Sequence, residues 1–315
     1  MTSYILRRLV LGAVVLWLVS VVTFFLIHLA PGGPSSAVSF ERTAEEREAL
    51  LKQFGLDEPV VVRYGKWLLS AVQGDLGVSY NQGLPVALLL KQRLPNTLTL
   101  GLAALVTATV LGILLGTVAA VNRNGWLDHV VSTITTLGMS IPGFWLGIVA
   151  IILFAVELRW LPASGIVSSG KAGDLVDRLK HLAMPAGVLA FTLMPNVVRV
   201  TRSALLEVSR ADFVRTARGK GLAPGTVLFK HAFKNALVPV LAVLGLVTTA
   251  LFSGSVVIES VFGWPGLGRL AIEAANGRDY PVILGATLLA GLVVVVVNLL
   301  VDLLYAAVDP RIRHE

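Results

Sequence analysis

Charge and apolarity alternate along this chain on a long period. Six windows hold no Asp, Glu, Lys or Arg: Leu9–Leu29, Leu98–Val121, Val130–Val156, Leu182–Val198, Leu237–Ile258 and Val282–Val301. They run for 21, 24, 27, 17, 22 and 20 residues, against the ~20 that a helix needs to cross a hydrocarbon core. A membrane barrel would instead alternate apolar and polar positions in short segments, and no such alternation is present. The pattern predicts an all-α, polytopic membrane protein with six transmembrane helices. The fourth window is the weakest, because it is short and contains Pro185 and Pro195.

Composition agrees. Of the 315 residues, 55% are hydrophobic and 14% charged, with a mean hydropathy of +0.79, whereas soluble domains carry about a quarter charged residues. The absence of cysteine excludes disulfides, thiolate nucleophiles and Cys-ligated metals. The formal charge of +7 reads as topology and headgroup contact, and nucleic acid is not expected as a partner. The first window exceeds the apolar core of a signal peptide and no A-x-A-like site follows it, so it is expected to stay as the first helix.

Six spans put both termini on one side. If that side is cytoplasmic, inside and outside segments each hold 13 Lys/Arg. Seven of the outside ones lie in the long Ala30–Thr97 loop, and loops beyond about 60 residues translocate largely regardless of charge. Discounting that loop leaves 13 against six, which predicts cytoplasmic termini in the cell (inner or plasma) membrane. Two regions are expected: 1–96, with the first helix and an external loop, and 97–315, a five-helix core with a cytoplasmic connection over about 199–236. Within the external loop, "TAEEREALLKQF" (Thr43–Phe54) opens with a Thr-x-x-Glu capping box and predicts a helix.

Catalytic chemistry is not legible. "GIVSSGKA" (Gly165–Ala172) imitates a phosphate-binding loop but carries Ala172 where Ser or Thr must reach magnesium, and it falls in an external loop. The five histidines are scattered singly across loops and span ends, and neither H-E-x-x-H nor G-x-S-x-G occurs. No cofactor or metal is expected. The windows also lack the ionisable groups with which secondary transporters couple an ion, the nearest being Glu157 and Asp302 at span ends. A charge at mid-bilayer costs ~3 kcal/mol, so energy for any transport has to enter from outside this chain.

Small and hydroxylated residues do occur within the windows. Gly112 and Gly116, and Gly138, Gly143 and Gly147 around Pro142, permit close helix packing. Thr133, Thr135, Thr136 and Ser140 in the third window, with Thr248, Thr249, Ser253 and Ser255 in the fifth, either line a weakly polar passage or act as interhelical glue.

The connection between the fourth and fifth windows is the most distinctive. "ADFVRTARGKGLAPGTVLFKHAFKNALVP" (Ala211–Pro239) carries five Lys/Arg and one acid. Leu206, Phe213, Val214 and Ala217 share roughly one helical face, while Arg210, Arg215, Arg218 and Lys220 take others. Gly221 supplies a stop and Pro224 a restart, which predicts a helix–turn–helix too polar to insert, its second short helix running to Pro239. It is either a cationic headgroup anchor or a docking surface with an apolar knob at Phe213–Val214.

These residues resemble the inner-membrane permease subunits of binding-protein-dependent ABC importers, in the peptide-type branch that includes the B subunits of dipeptide and oligopeptide permeases. The family's coupling loop has a Glu-Ala-Ala-x-x-x-Gly core. It aligns with Arg215–Gly221, where Ala217 and Gly221 match and Arg215 replaces the Glu; Phe233-Lys234 stands where the general pattern has Leu-Pro. Both departures are similar to the peptide-type branch. The likeness continues in "ILRRLVLGAVVLWLVSVVTFFLIHLAPGGP", "RLPNTLTLGLAALVTATVLGILLG", "GSVVIESVFGWPGLGRLAIEAANGRDYPVILG" and "VDPRIR", and so spans essentially the whole chain.

The resemblance implies a type I ABC importer (MetI-like) permease fold and no enzyme activity in this chain. Implied partners are a second homologous permease subunit, two cytoplasmic ATP-binding subunits, an external solute-binding protein and the lipid bilayer. Asp212, Phe213, Val214, Arg215, Ala217, Arg218, Lys220 and Gly221 are the implied ATPase-coupling residues. Thr136, Ser140, Thr248, Thr249 and Ser253 remain candidates for a passage. Peptides are the implied cargo, with nickel chelates and glutathione as alternatives inside the family. Rival readings are a stand-alone secondary transporter or channel, and an intramembrane enzyme; the first lacks ionisable groups at depth, the second a partner for any buried serine.

Overall fold

A computed structural model describes residues 2–29, 58–171 and 173–308. The expected Thr43–Phe54 helix, and residues 309–313 of the C-terminal motif, lie outside the described residues. In chain order the helices are α1 (Thr2–Leu29), α2 (Val60–Val72), α3 (Val86–Val121), α4 (Trp126–Ser140), α5 (Gly143–Ala150), α6 (Leu175–Val208), α7 (Asp212–Gly219), α8 (Lys234–Val261), α9 (Leu267–Asn276) and α10 (Tyr280–Val308). A π-helical stretch, Ile151–Glu157, continues α5, and a turn at Pro224–Thr226 with a second π-helical stretch, Val227–Phe233, leads into α8. Among the described residues the only strand-like pairing is one bridge, Val78 with Pro85.

Helices α1, α3, α6, α8 and α10 are long and apolar enough to cross a membrane. The third window is not straight. Its two halves, Trp126–Ser140 and Gly143–Glu157, meet at 104°, and the count reaches six when the pair is one span. The bend has a local cause. Ile141 is extended (φ −88°, ψ 124°), as the residue before a proline tends to be, and Pro142 has no N–H with which to continue the ladder.

The described residues form two compact units, one within Met1–Leu98 and Gly263–Val295, the other within Thr99–Phe262 and Val296–Glu315. In the first unit, Val86, Leu89 and Leu90 of α3 pack against Leu267 and Leu270 of α9 and Val282 of α10. Trp264 is fully buried, and its Nε1 donates to the Asn96 carbonyl at 2.9 Å. Asn96 Nδ2 donates to the Pro265 carbonyl at 2.9 Å, and Thr97 Oγ1 accepts from the Leu267 amide at 2.7 Å. "RLPNT" and "FGWPGLG", about 170 positions apart, thus meet in space. Asp279, also buried, accepts from the Ser79 hydroxyl and from the amides of Tyr80 (3.1 Å) and Asn81 (3.2 Å). Burial pushes the Tyr80 phenol up to about 12.

The second unit is organised around α6. Two-thirds (67%) of its most apolar window is buried, against 17–28% for the other four long helices, and its mean hydropathy is the lowest of the five. A helix surrounded by other helices does not have to satisfy lipid, so it tolerates Pro185, Pro195 and Asn196. That explains why the fourth window looks weak in sequence. Gly112 and Gly116 of α3 meet α6 closely: a Cβ on them would sit 2.6 Å from Val197 Cβ and 2.7 Å from the Val198 carbonyl, respectively. At these two positions the small-residue spacing serves close packing.

Candidate functional site

The basic connection after α6 is built by capping. The last turn of α6 closes with the amides of Ser209, Arg210 and Ala211 bonded to the carbonyls of Leu205, Glu207 and Val208. Ala211 is extended (φ −66°, ψ 147°), and the eight-residue α7 begins at Asp212. It ends in a two-bond left-handed cap. The Gly221 amide reaches the Arg218 carbonyl at 2.9 Å and the Leu222 amide reaches the Ala217 carbonyl at 3.4 Å. Gly221 sits at φ +74°, and nothing lies within 4 Å of where its Cβ would be. Glycine is required there by backbone conformation, not by crowding within this chain.

Only two side chains of α7 are buried, Val214 and Ala217. They pack with Val227 and the partly buried Val208. Val214, grouped with Phe213 in the sequence as one knob, points instead into this small core. Phe213 is 45% exposed. Asp212, Arg215, Arg218, Lys220 and Gly221 are exposed as well, and a long Arg215–Asp212 contact of 3.4 Å joins two of them. The outward face of α7 therefore presents one aromatic ring among cations. After Pro224 the helix does not stop at Pro239, as the sequence predicts, but runs on through Val261. Ala232 and Ala236 pack on Ala204 and Leu205 of α6, so this helix is clamped before the proline is reached.

The hydroxyl candidates are dispersed. Thr136 and Ser140 are exposed and bond back to the carbonyls of Ser132 and Thr136, each at 2.8 Å. Thr248 is buried and bonds to the Leu244 carbonyl at 2.7 Å. Thr249 is exposed, bonding to Gly245 at 3.2 Å and reaching Asn298 of α10 at 3.4 Å; Ser253 is exposed. None of the five lines the roughly 410 Å³ cavity that forms where the α4–α5 bend meets α6 and α8. Its polar lining is Thr192 and Asn196, and Gly138, Phe144 and Gly254 contribute walls. Sequence reasoning passed over Asn196 because it looked for hydroxyl runs, not for a single amide beside Pro195.

Buried acids at span ends were also missed. Asp128, in the first turn of α4, receives Arg202 of α6 through Nε (2.8 Å) and Nη2 (2.7 Å), and the Asn124 amide at 2.9 Å. It lies two residues before the third window, where a search confined to charge-free windows does not look. Glu259, one residue past the fifth window, is fully buried in α8. The loop that imitates a phosphate site is engaged otherwise: Asp177 accepts the Ser168 amide at 2.6 Å and hydroxyl at 2.9 Å, with Lys171 at 3.7 Å. Among the described residues no group of three or more His, Asp or Glu is placed to hold a metal.

Comparisons with known proteins agree along the whole chain. Residues 112–314 match the family described as binding-protein-dependent transport system inner membrane component, and residues 1–101 match its N-terminal membrane component. The chain is 40% identical over 316 residues to the oligopeptide transport system permease protein AppB of Bacillus subtilis (strain 168), with all of both chains covered. It is 39% identical over 333 residues to the dipeptide transport system permease protein DppB of Alkalihalophilus pseudofirmus, again with all of both covered. A putative peptide transport system permease protein of Brucella abortus (strain 2308) is 42% identical over 316 residues and the full length of both. Among solved structures, an inward-facing MetNI methionine ABC transporter chain superposes with a TM-score of 0.59 at 21% identity, covering 70% of this chain and 96% of that one. That likeness concerns the fold.

Proposed function

The chain belongs to the family of binding-protein-dependent transport system inner membrane components, and we propose on that premise that it carries peptides or similar small solutes across the membrane. As a multi-pass permease subunit of an ABC importer it supplies pathway, not chemistry. In this reading a second homologous permease chain completes the pathway, two cytoplasmic ATP-binding subunits supply energy, and an external solute-binding protein delivers cargo. Both termini and the Arg199–Ala236 connection face the cytoplasm, and Ala30–Thr97 faces outward.

The observation that carries the coupling role is the outward face of α7. Val214 and Ala217 fasten the helix to its own chain while Phe213, Arg215, Arg218 and Lys220 are left exposed. A ligand shifts a two-state equilibrium only through contacts that differ between the states. A short helix fixed on one face and free on the other is suited to transmit such a difference from an ATPase cleft to α6 and α8. The cavity at the α4–α5 bend, with Thr192 and Asn196, is the stretch of pathway this chain contributes.

The test is copurification of the ATP-binding subunits together with peptide uptake in membrane vesicles. Phe213→Ala and Gly221→Asp are expected to lose uptake and ATPase association while the chain still inserts. Arg215→Lys and Lys220→Arg keep charge and are expected to be mild. If both shape variants transport normally while removal of cations abolishes transport, the connection is a headgroup anchor and the coupling role is wrong.

A further inference from the structure

Along its second half, α6 carries a stripe of four polar side chains that the rest of its unit does not fully cover. Thr192 and Asn196 are partly exposed, and Arg199 and Ser203 are exposed. They stand at i, i+4, i+7 and i+11, and at 3.6 residues per turn they share a face ~60° wide. The outward positions of α3 in the same unit are instead Leu102, Val106, Val110 and Leu114, at 50–61% exposure. Apolar side chains meet hydrocarbon freely, whereas polar ones at a span belong against water or a partner.

The hydroxyls of this stripe answer themselves. Thr192 bonds to the Leu189 carbonyl at 2.8 Å and Ser203 to the Val200 carbonyl at 3.1 Å, as Thr136 and Ser140 do on α4, and a hydroxyl so bonded tolerates lipid. Asn196 and Arg199 do not. Arg199 Nη2 donates to Asn196 Oδ1 at 3.4 Å, long for an N–H···O bond. Arg202, three positions on, is taken by Asp128, whereas among the described residues no carboxylate pairs with Arg199. An arginine at a span end can snorkel to headgroups. A carboxamide one turn deeper cannot, and Asn196 lines the 410 Å³ cavity at the α4–α5 bend. With Oδ1 turned to Arg199, Asn196 offers its Nδ2 donors, and a guanidinium has donors only. Adjacent N–H groups carrying one positive charge select an anion with two oxygens, and a carboxylate accepts from such a fork in pairs. Apart from Thr192, the rest of the wall is apolar, with Phe144, Leu189, Val257 and Ile258; it packs side chains without ranking their charge.

We propose that Asn196 and Arg199 receive the C-terminal carboxylate of a peptide as it passes this cavity, and so favour cargo with a free terminus. Every linear peptide carries that group whatever its sequence, so one fixed site serves mixed cargo. The inference rests on the reading of the cavity as pathway and of the cargo as peptide.

The test uses the assembled transporter, with its ATP-binding subunits and solute-binding protein, in proteoliposomes. Initial uptake is measured at low concentration for trialanine and for trialanine amide. The quantity read is the acid-to-amide ratio of a variant divided by that of the wild type, in which the binding protein's own preference cancels. Arg199→Gln is expected to lower the ratio about ten-fold, the effect of one charge-assisted hydrogen bond. Arg199→Lys keeps the charge without the fork and is expected to lower it less. Asn196→Leu removes a neutral donor and is expected to lower it about three-fold. A ratio unchanged in Arg199→Gln, or an equal loss of both peptides, would mean a headgroup or packing contact and overturn the proposal. So would uptake of Ala-Glu-Ala amide that falls with Arg199→Gln as trialanine does, which would assign the site to side-chain carboxylates. Wild-type proteoliposomes that import neither form would instead sink the peptide reading itself, and this proposal with it.

Discussion

The connections on either side of α8, 209–233 and 262–279, are of opposite character. Between α8 and α10, Trp264 and Asp279 are buried and spend their hydrogen-bonding groups on the Asn96 carbonyl, the amides of Tyr80 and Asn81 and the Ser79 hydroxyl. Between α6 and α8, Val214, Ala217 and Val227 form a small core, and the remaining side chains of α7 point away from it. Buried side chains whose polar groups are all answered within the chain make a fixed structure; exposed cations around one ring make a surface that awaits something. The difference lies in where the polar groups find partners. It implies that stability and transport should respond to substitution in opposite orders along the two connections.

The largest stability loss is expected at Trp264→Ala, about 3–5 kcal/mol for removing a fully buried indole, read as a fall in the thermal midpoint of the detergent-solubilised chain. Trp264→Phe keeps an aromatic ring but removes the N–H and part of the buried volume, and is expected to lose less, about 2–3 kcal/mol. A Trp264→Ala chain as stable as wild type would mean that this connection is not rigidly seated.

Next comes Asp128→Asn, which leaves Arg202 without its carboxylate. Breaking a fully buried pair costs about 3–5 kcal/mol, but the Arg202 side chain is 32% exposed, so solvent screening lowers the expectation to about 2 kcal/mol. The double variant Asp128→Asn, Arg202→Gln should recover part of the loss. No recovery would show that the two residues contribute separately.

Gly221→Ala is expected to destabilise by about 1–2 kcal/mol, the cost of a left-handed backbone at a non-glycine residue, while Gly221→Asn, which tolerates that region better, should lose less. A larger loss with no difference between the two would point to an unrecognised close contact. The smallest stability effect is expected at Phe213→Ala, within about 0.5 kcal/mol because the ring is already half exposed. Yet here the proposed coupling predicts the largest loss of uptake. The comparison fails if Phe213→Ala destabilises the isolated chain as strongly as it lowers uptake.

Much was legible in the sequence for one physical reason. Hydrocarbon rejects charge regardless of what else is nearby, so charge-free windows mark spans one at a time, and five of the six coincide with single long helices. The stop at Gly221 and the restart at Pro224 were legible on similar grounds, since a left-handed cap and a fixed φ are properties of single residues. Packing is not. That Val214 turns inward while Phe213 stays out depends on Val208 and Val227 closing over one face. The weak fourth window is the most enclosed helix because its neighbours replace lipid, and residues 263–295 join the N-terminal unit because Asn96, Thr97 and the 79–81 turn hold bonding groups that Trp264, Pro265, Leu267 and Asp279 meet. Asp128 remained hidden for the same reason: a carboxylate at a span end is unremarkable until a guanidinium from 74 positions away arrives on it. Apolarity along a chain reports which medium each segment can enter, whereas the partner of each polar group is set by contacts between distant segments, and only the tertiary structure decides those.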